Sequence, residues 1–331
     1  MAQRARKRQL MRSPKTIKNP PQMCIDCGTC TKKCEFLTKY DINLLDLSKR
    51  PDLAYSCFLC DKCYQVCPKD ISGNEIALNL RDLTPKPFRY LNFQKSPYLF
   101  ANNSPKQSRE LVFFGCNFTG YYPKTTRKII EIFGEAGIDF SIDCCGKPLY
   151  EAHRGYFDET KKHLDELFAA KGVETLICAC PNCYHFLKDK VSVKIKTLYE
   201  KYEELGLAAD IEEEAYMFFP CPERNGREIF NTMAHRIKNK KESFRDVNCC
   251  GLGGLARGEE PEIAKQYPIT VRNKNTPNIY TYCATCAGNF AKNGCKNVKH
   301  VASYMLGVNE SPNLSYLKNV LGLKFYKRSR K

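Results

Sequence analysis

The chain holds 331 residues, 43% of them hydrophobic, with a formal net charge of +17. That is more than one compact domain usually holds, so two or three domains with real cores are expected. No apolar run reaches the length that spans a bilayer, and residues 1–22 lack the apolar centre of a secretory signal, so a cytoplasmic chain whose twenty cysteines stay reduced is expected.

Residues 1–22 read as a basic N-terminal arm with seven Lys/Arg and no acid, and residues 306–331 as a basic C-terminal tail whose stretch 316–331 holds six Lys/Arg and no acid. Such ends are solvated tails, or docking surfaces for an acidic partner or for the anionic inner face of a membrane, which would give peripheral association. No recognition motif for nucleic acid accompanies them. Residues 23–83 contain two runs of C-x2-C-x2-C-x3-C: Cys24, Cys27, Cys30, Cys34, then Cys57, Cys60, Cys63, Cys67 followed by Pro68. Apolar residues recur at near-helical spacing over 41–50, and 74–82 reads as a helix. With no strand alternation in sight, a helical domain wrapped around its metal sites is expected. Residues 84–109 carry Pro85, Pro87, Pro97 and Pro105 among Phe88, Tyr90, Phe93, Tyr98 and Phe100, a linker expected to pack on its neighbours.

From residue 110 the chain repeats itself. Cys116, Cys144, Cys145, Cys180 and Cys183 in one copy (110–210) are followed by Cys221, Cys249, Cys250, Cys283 and Cys286 in the next (211–305), and both copies space the first cysteine 28 positions before the CCG. A fixed period means two copies of one unit. In each copy a short apolar run leads to the first Cys (111–115 and 216–220) and a helical segment follows (125–136 and 227–237). The first copy adds a strand at 138–142 and a helix at 158–170. A last apolar run leads to the C-x2-C (175–179 and 278–282). Strands alternating with helices imply parallel α/β units, and each cysteine then falls at the carboxyl end of a strand, where open α/β sheets place their sites.

Spacing decides the chemistry of the first half. A C-x2-C-x2-C loop points three thiolates at neighbouring irons of one cubane, and the fourth Cys reaches the other cluster. One 4Fe–4S set is therefore Cys24, Cys27, Cys30 and Cys67, and the second is Cys57, Cys60, Cys63 and Cys34. Glu35 stands where the first run would carry Pro. Zinc, the alternative metal, uses separated C-x2-C pairs instead of doubled four-cysteine runs. In the repeats five thiols per unit exceed the need of a cubane, and a disulfide between adjacent cysteines would be strained. A cluster whose irons are bridged by thiolate accounts for the count.

Downstream of two ferredoxin runs, the C…CCG…C-x2-C repeat resembles the cysteine-rich (CCG) domain family, over residues 23 to about 305. Its heterodisulfide reductase members suggest a ferredoxin-type C subunit fused to a CCG-bearing B subunit, as in the D-type subunit. The resemblance implies an α+β multidomain fold: a helical two-cluster ferredoxin domain plus duplicated α/β, Rossmann-like CCG domains. It implies two cubane and two non-cubane 4Fe–4S clusters, with a substrate disulfide reduced between the two CCG sites, so that all ten CCG cysteines act in catalysis through their clusters. It also implies an oxidoreductase subunit fed by a flavoprotein and/or a membrane cytochrome b. The same parts occur in iron–sulfur subunits of FAD-linked glycolate, lactate and glycerol-3-phosphate dehydrogenases, where such a chain passes electrons from a flavoprotein towards a quinone or other acceptor.

Four remaining signals are smaller. Residues 251–256 (GLGGLA) fit G-x-G-x-x-A, but no strand precedes them and no acid follows at the expected distance, so they read as a turn after a cluster loop. His185, two positions past Cys183, is a candidate proton donor to a leaving thiolate, with an ordinary core or surface histidine as the alternative. Lys147, after the first CCG, could tune cluster charge or meet an anionic substrate; its counterpart is Leu252. Cys178 reads as a buried thiol within a strand, and Cys295 is unassigned.

Overall fold

The computed structural model describes residues 21–95, 101–102 and 106–327. The expectations for the basic arm before residue 21, for the extreme tail and for Pro97, Tyr98, Phe100 and Pro105 lie outside the described residues.

The first part is helical throughout its described residues, as expected. Its helices are α1 (Thr29–Lys33), α2 (Glu35–Tyr40), α3 (Leu44–Leu47), α4 (Lys62–Val66) and α5 (Gly73–Leu83). They enclose a small core of Phe36, Leu37, Leu44, Leu47, Tyr55 and Ile76 together with Cys30, Cys57 and Cys63. The helix expected over 41–50 is a single turn, α3. Asn43 caps it by accepting from Leu45 and Asp46 backbone N–H groups while Asp46 reaches back to the Asn43 N–H, a capping box that starts the helix late. Pro51 then opens a separate 3-10 turn. In the linker, α6 (Arg89–Lys95) forms. Phe88 packs on Tyr55 at 5.4 Å between ring centroids, while Tyr90 and Phe93 are 70% and 65% exposed.

The first repeat is a four-stranded parallel sheet in the order β2-β1-β3-β4. Its strands are β1 (Glu110–Phe113), β2 (Asp139–Ser141), β3 (Thr175–Cys178) and β4 (Lys194–Thr197). The helices between them are α7 (Gly115–Tyr121), α8 (Pro123–Glu135), α9 (Lys147–Ala152), α10 (Asp158–Lys171) and α11 (Pro181–Leu187), with α12 (Leu198–Glu204) after β4. The second repeat has β5 (Ile211–Tyr216) beside β6 (Ile237–Lys241) and β7 (Ile279–Thr281) beside β8 (Val298–His300), both parallel. A parallel bridge from Met217 to Tyr280 joins the pairs, so the order is β6-β5-β7-β8, the same as in the first copy. Its helices are α13 (Glu228–Met233), α14 (Pro261–Asn273) and α15 (Ala284–Lys292); α16 (Val301–Met305) and α17 (Tyr316–Lys324) complete the chain.

Two sequence expectations need correction here. The strand foreseen over 216–220 ends at Tyr216, because Phe218 and Phe219 are used as side-chain core beside Phe230 and Phe290. The helix foreseen over 227–237 stops at Met233, and Ile237 opens β6 with its side chain buried. The repeats share one continuous core running through Leu111, Phe113, Ile177, Tyr280 and Phe290. Among the described residues, no helix is long and apolar enough to cross a membrane.

Candidate metal centre

The cysteines of the helical part sort into two sets. Cys24, Cys27, Cys30 and Cys67 line one small hollow together with Leu44, Pro68 and Ile71. Cys34 instead lies within electrostatic reach of Cys57, Cys60 and Cys63. The crossed pairing expected from spacing is therefore the pairing the backbone brings together. Among the described residues, no group of three or more His, Cys, Asp or Glu side chains is arranged to hold a single metal ion. Burial pushes the Cys34 thiol up to about 12, and it pushes Cys60 and Cys63 well above their ordinary value too. Such thiols ionise when a cation is bound in their midst.

The ten cysteines of the repeats form one row. In the first copy Cys116 Sγ lies 3.7 Å from Cys144 Sγ, and the thiols act on one another in turn from Cys144 to Cys145, Cys145 to Cys183 and Cys183 to Cys180. The second copy repeats this order through Cys221, Cys249, Cys250, Cys286 and Cys283. Cys180 and Cys283 contact each other and join the two halves. In both copies the second cysteine of the CC pair is the one pushed down: Cys145 by Cys144 and Cys183, Cys250 by Cys249 and Cys286. Equivalent thiols thus sit in equivalent surroundings.

The row rests on the strand ends. Cys116 follows β1, Cys144 and Cys145 follow β2, and Cys180 and Cys183 follow β3. In the second copy Cys283 directly follows β7, whereas Cys249 stands eight positions after β6. Across the junction Asn117 donates to Thr285 Oγ1 at 2.7 Å and Asn182 Nδ2 points at Cys283 Sγ at 3.7 Å. Nine of the ten thiols are buried, and Cys221 is half-buried.

The helical part meets the second repeat through its thiols. Cys60 is within electrostatic reach of Cys221 and Cys249. The turn at 253–258 packs against the loop of Cys57 and Phe58: a Cβ on Gly253 would fall 2.4 Å from Phe58 O, and one on Gly254 2.4 Å from Cys57 O. Gly254 also has φ +60°, where glycine is favoured. The GLGGLA segment is thus the turn expected. Glu35, the departure from Pro, accepts from Asn248 at 3.1 Å and from Tyr267 at 2.9 Å, tying α2 to the second repeat.

His185 does not face a cysteine in its strongest contact; its Nε2 meets the buried carboxylate of Glu223 from the second repeat. That interaction ties the two copies together. Lys147 pairs with Glu151 one turn along α9 while lying within electrostatic reach of Cys145 and Cys221. Cys178 is buried in β3, and Cys295 directs its Sγ to Pro268 O at 3.5 Å.

Sequence reasoning missed three residues. Lys95, in the linker, donates to Cys116 Sγ at 3.4 Å. Burial lowers its affinity for a proton, but the Cys116 and Cys144 thiolates outweigh this and raise it overall. Tyr316 accepts from Lys95 at 3.2 Å. Arg81, with none of its surface exposed, donates to Ala54 O, Cys57 O and Glu151 O. None belongs to a motif, and only their distance from any repeat pattern marks them.

Residues 111–188 and 216–291 each match the cysteine-rich domain (CCG) family. The chain carries the cysteine-rich domain twice. Over 82% of its length it is 24% identical to an uncharacterized iron–sulfur protein of Methanocaldococcus jannaschii, covering 68% of that protein. It is 20% identical over 80% of its length to the B subunit of fumarate reductase (CoM/CoB) from Methanothermobacter marburgensis, covering 66% of it. A third relative is the C 2 iron–sulfur subunit of the CoB–CoM heterodisulfide reductase of M. jannaschii, 34% identical over 18% of this chain and 38% of that subunit. The chain spans about two thirds of the length of the first two. Beside its two cysteine-rich domains, the chain is thus similar to iron–sulfur proteins and to subunits of reductase complexes.

Proposed function

We propose that the chain is the electron-transfer subunit of a heterodisulfide-reductase-like oxidoreductase. Two cubane 4Fe–4S clusters would be held by Cys24, Cys27, Cys30, Cys67 and by Cys57, Cys60, Cys63, Cys34, and two non-cubane 4Fe–4S clusters by the five cysteines of each cysteine-rich domain. The observation that carries this reading is the unbroken row of ten thiols, joined at Cys180 and Cys283 and approached by Cys60 at its Cys221 end. When bound, such clusters supply single-electron transfer, and cleaving an S–S bond takes two electrons.

The chain's own residues would do the rest. The thiolates act as ligands. Gly251 N–H on Cys249 at 3.3 Å, Asn182 on Cys283 and Lys95 on Cys116 supply hydrogen bonds to sulfur that favour its charged form. Phe58, Phe118 and Tyr282 exclude water from the row. A flavoprotein subunit and/or a membrane cytochrome b would exchange electrons with the helical part; the subunit names of the relatives support a multi-subunit assembly, and their CoM/CoB designations support a thiol–disulfide couple as substrate.

One observation favours a second reading. Cys180, Cys183, Cys283 and Cys286 are 7%, 3%, 1% and 3% exposed, so the junction is closed to a substrate in this conformation. A chain that only relays electrons, as the iron–sulfur subunit of an FAD-linked glycolate, lactate or glycerol-3-phosphate dehydrogenase would, needs no opening there. Electron paramagnetic resonance on anaerobically purified, oxidised protein decides between them. A new signal that appears only on adding thiols supports disulfide reduction. Full iron content with no thiol-dependent signal supports the relay.

A further inference from the structure

The two ends of the thiol row are built differently. At the Cys221 end both signs of charge are near: Cys60 of the helical part lies within electrostatic reach of Cys221 and Cys249, and Arg224 and Lys147 lie within electrostatic reach of Cys221. At the Cys116 end the neighbour is a buried cation. Lys95 is 7% exposed, and its Nζ sits 3.4 Å from Cys116 Sγ and 3.2 Å from the Tyr316 hydroxyl. The Tyr316 hydroxyl is itself in hydrogen-bonding contact with Cys116.

Neither residue belongs to a cysteine-rich domain. Lys95 ends α6 in the linker, and Tyr316 opens α17. Both are held in place. Asn319 of α17 donates to Gly120 O at 2.7 Å, and Val320 packs with no exposed surface on Cys116 and Cys144. The Tyr316 ring lies so close that a Cβ on Gly120 would fall 2.2 Å from it. The first repeat therefore receives, from outside itself, a cation and a hydroxyl aimed at its first cysteine. In the second repeat Cys221 Sγ lies 4.0 Å from Asn248 O, and Arg224 is a cation that acts on it electrostatically.

We propose that Lys95, supported by Tyr316, makes the first cysteine-rich domain the electron-accepting end of the row. Lys95 is a positioning residue that acts through Cys116. An electron leaving the second site and entering the first adds one negative charge beside Lys95 and removes one from the neighbourhood of Cys60. In a water-poor interior a contact charge changes a one-electron equilibrium by about tenfold or more. The proposal rests on the reading that both cysteine-rich domains hold clusters.

The test is an anaerobic redox titration of the full, cluster-loaded chain, with iron and acid-labile sulfide measured on the same samples. The signal lost in Cys116→Ala identifies the first site. Lys95→Met is expected to lower the reduction equilibrium constant of that site by at least about tenfold, about 59 mV for one electron, with iron content unchanged. Tyr316→Phe is expected to move it the same way by less, Lys95→Arg to restore it, and Lys318→Met, which removes an exposed charge from the same helix, to leave it in place. If Lys95→Met loads poorly, Lys95→Gln and Tyr316→Phe decide by the same shift. An unchanged potential with full iron in these variants, or an equal shift in Lys318→Met, overturns the proposal. If Cys116→Ala loses neither iron nor signal, the cluster reading of the first site itself fails, and that outcome is distinct from an unmoved potential.

Discussion

Arg81 offers the sharpest test of how the helical part is fastened to the repeats. Its guanidinium has no exposed surface and makes three hydrogen bonds, to Ala54 O at 2.9 Å, Cys57 O at 2.9 Å and Glu151 O at 2.6 Å, while stacking on Tyr55 at 4.9 Å. Hydrogen bonds from a charged donor contribute about 1.5–3 kcal/mol each, a gross loss of roughly 5–9 kcal/mol when all three go. Desolvating a guanidinium costs several kcal/mol, which the uncharged variant regains. Arg81→Met keeps much of the side-chain volume, so the net destabilisation expected is about 2–4 kcal/mol, a large share of a domain's usual stability. Anaerobic urea denaturation, followed by far-ultraviolet circular dichroism and by cluster absorbance, measures it. Hydrogen exchange should rise at residues 54–58 and 151–152 together, since one side chain serves both. A variant within about 0.5 kcal/mol of wild type would refute the reasoning, because it would mean the three carbonyls find other donors at no cost.

Three further outcomes are expected. Cys178→Ala and Cys295→Ala leave iron per chain unchanged, whereas Cys60→Ala removes about one cluster's worth, roughly four irons; iron and sulfide analysis reads both. Gly254→Ala costs about 2 kcal/mol or more from its left-handed backbone and the approach to Cys57 O, while Gly258→Ala, which meets nothing within 4 Å, changes stability little; urea midpoints compare them. His300 is pushed down to about 4 by burial from an ordinary value of 6.5, so its folded state resists protonation. Its contribution is complete above pH 6.5 and is lost as pH falls towards 4, in total about 3 kcal/mol. In urea titrations between pH 7 and 5, His300→Phe, which fits between the rings of Phe118 and Tyr122, should flatten that slope. An identical slope in wild type and variant would show that His300 does not carry it.

The cysteine sets and the duplication were legible because metal ligation imposes spacing directly on the sequence, and because a repeat displays its own period. Three strands of the first copy were legible too, since β1 and β3 are buried apolar runs; β4, with the sequence KIKT, was not foreseen. Nor was β5. Its sequence, IEEEAY, shows no run of apolar residues, and its burial pattern places three acids outside. Its acids are answered by bases on other strands of the same repeat: Glu214 pairs with Lys241 of the adjacent β6 at 3.2 Å, and Glu213 with Lys299 of β8, beyond β7, at 2.5 Å. Such pairing depends on strands that are 27 or more residues away in sequence, which local patterning does not register. Lys95 was illegible for the same reason. It lies 21 positions before Cys116 in a proline-punctuated linker, and its role exists only once α6 is folded against the first repeat.

The order of parts along the chain differs from their order in space, and the difference separates two tasks. In sequence the helical part precedes the first repeat, and it is fastened to both repeats: Arg81 holds Glu151 O and the Tyr55 hydroxyl donates to Ala152 O at 2.8 Å in the first, and Lys39 and Tyr40 hold Glu260 in the second. The thiols of the helical part, however, face the second repeat. Cys60 lies near Cys221 and Cys249, the Gly253–Gly254 turn presses on the loop of residues 57–58, and Glu35 binds Asn248 and Tyr267. Attachment to both repeats with thiol contact at the second leaves the Cys116 end of the row farthest from Cys60 along the contact sequence. That end is the one covered by segments outside the repeats, α6 and α17. A duplicated domain with equal thiols on both sides has no internal reason to send an electron one way. The asymmetry on which the proposal rests comes from what the rest of the chain lays against each end: Cys60 of the helical part near Cys221, whose own repeat supplies Arg224, and the Lys95 ammonium of the linker, supported by Tyr316 of α17, in hydrogen-bonding contact with Cys116.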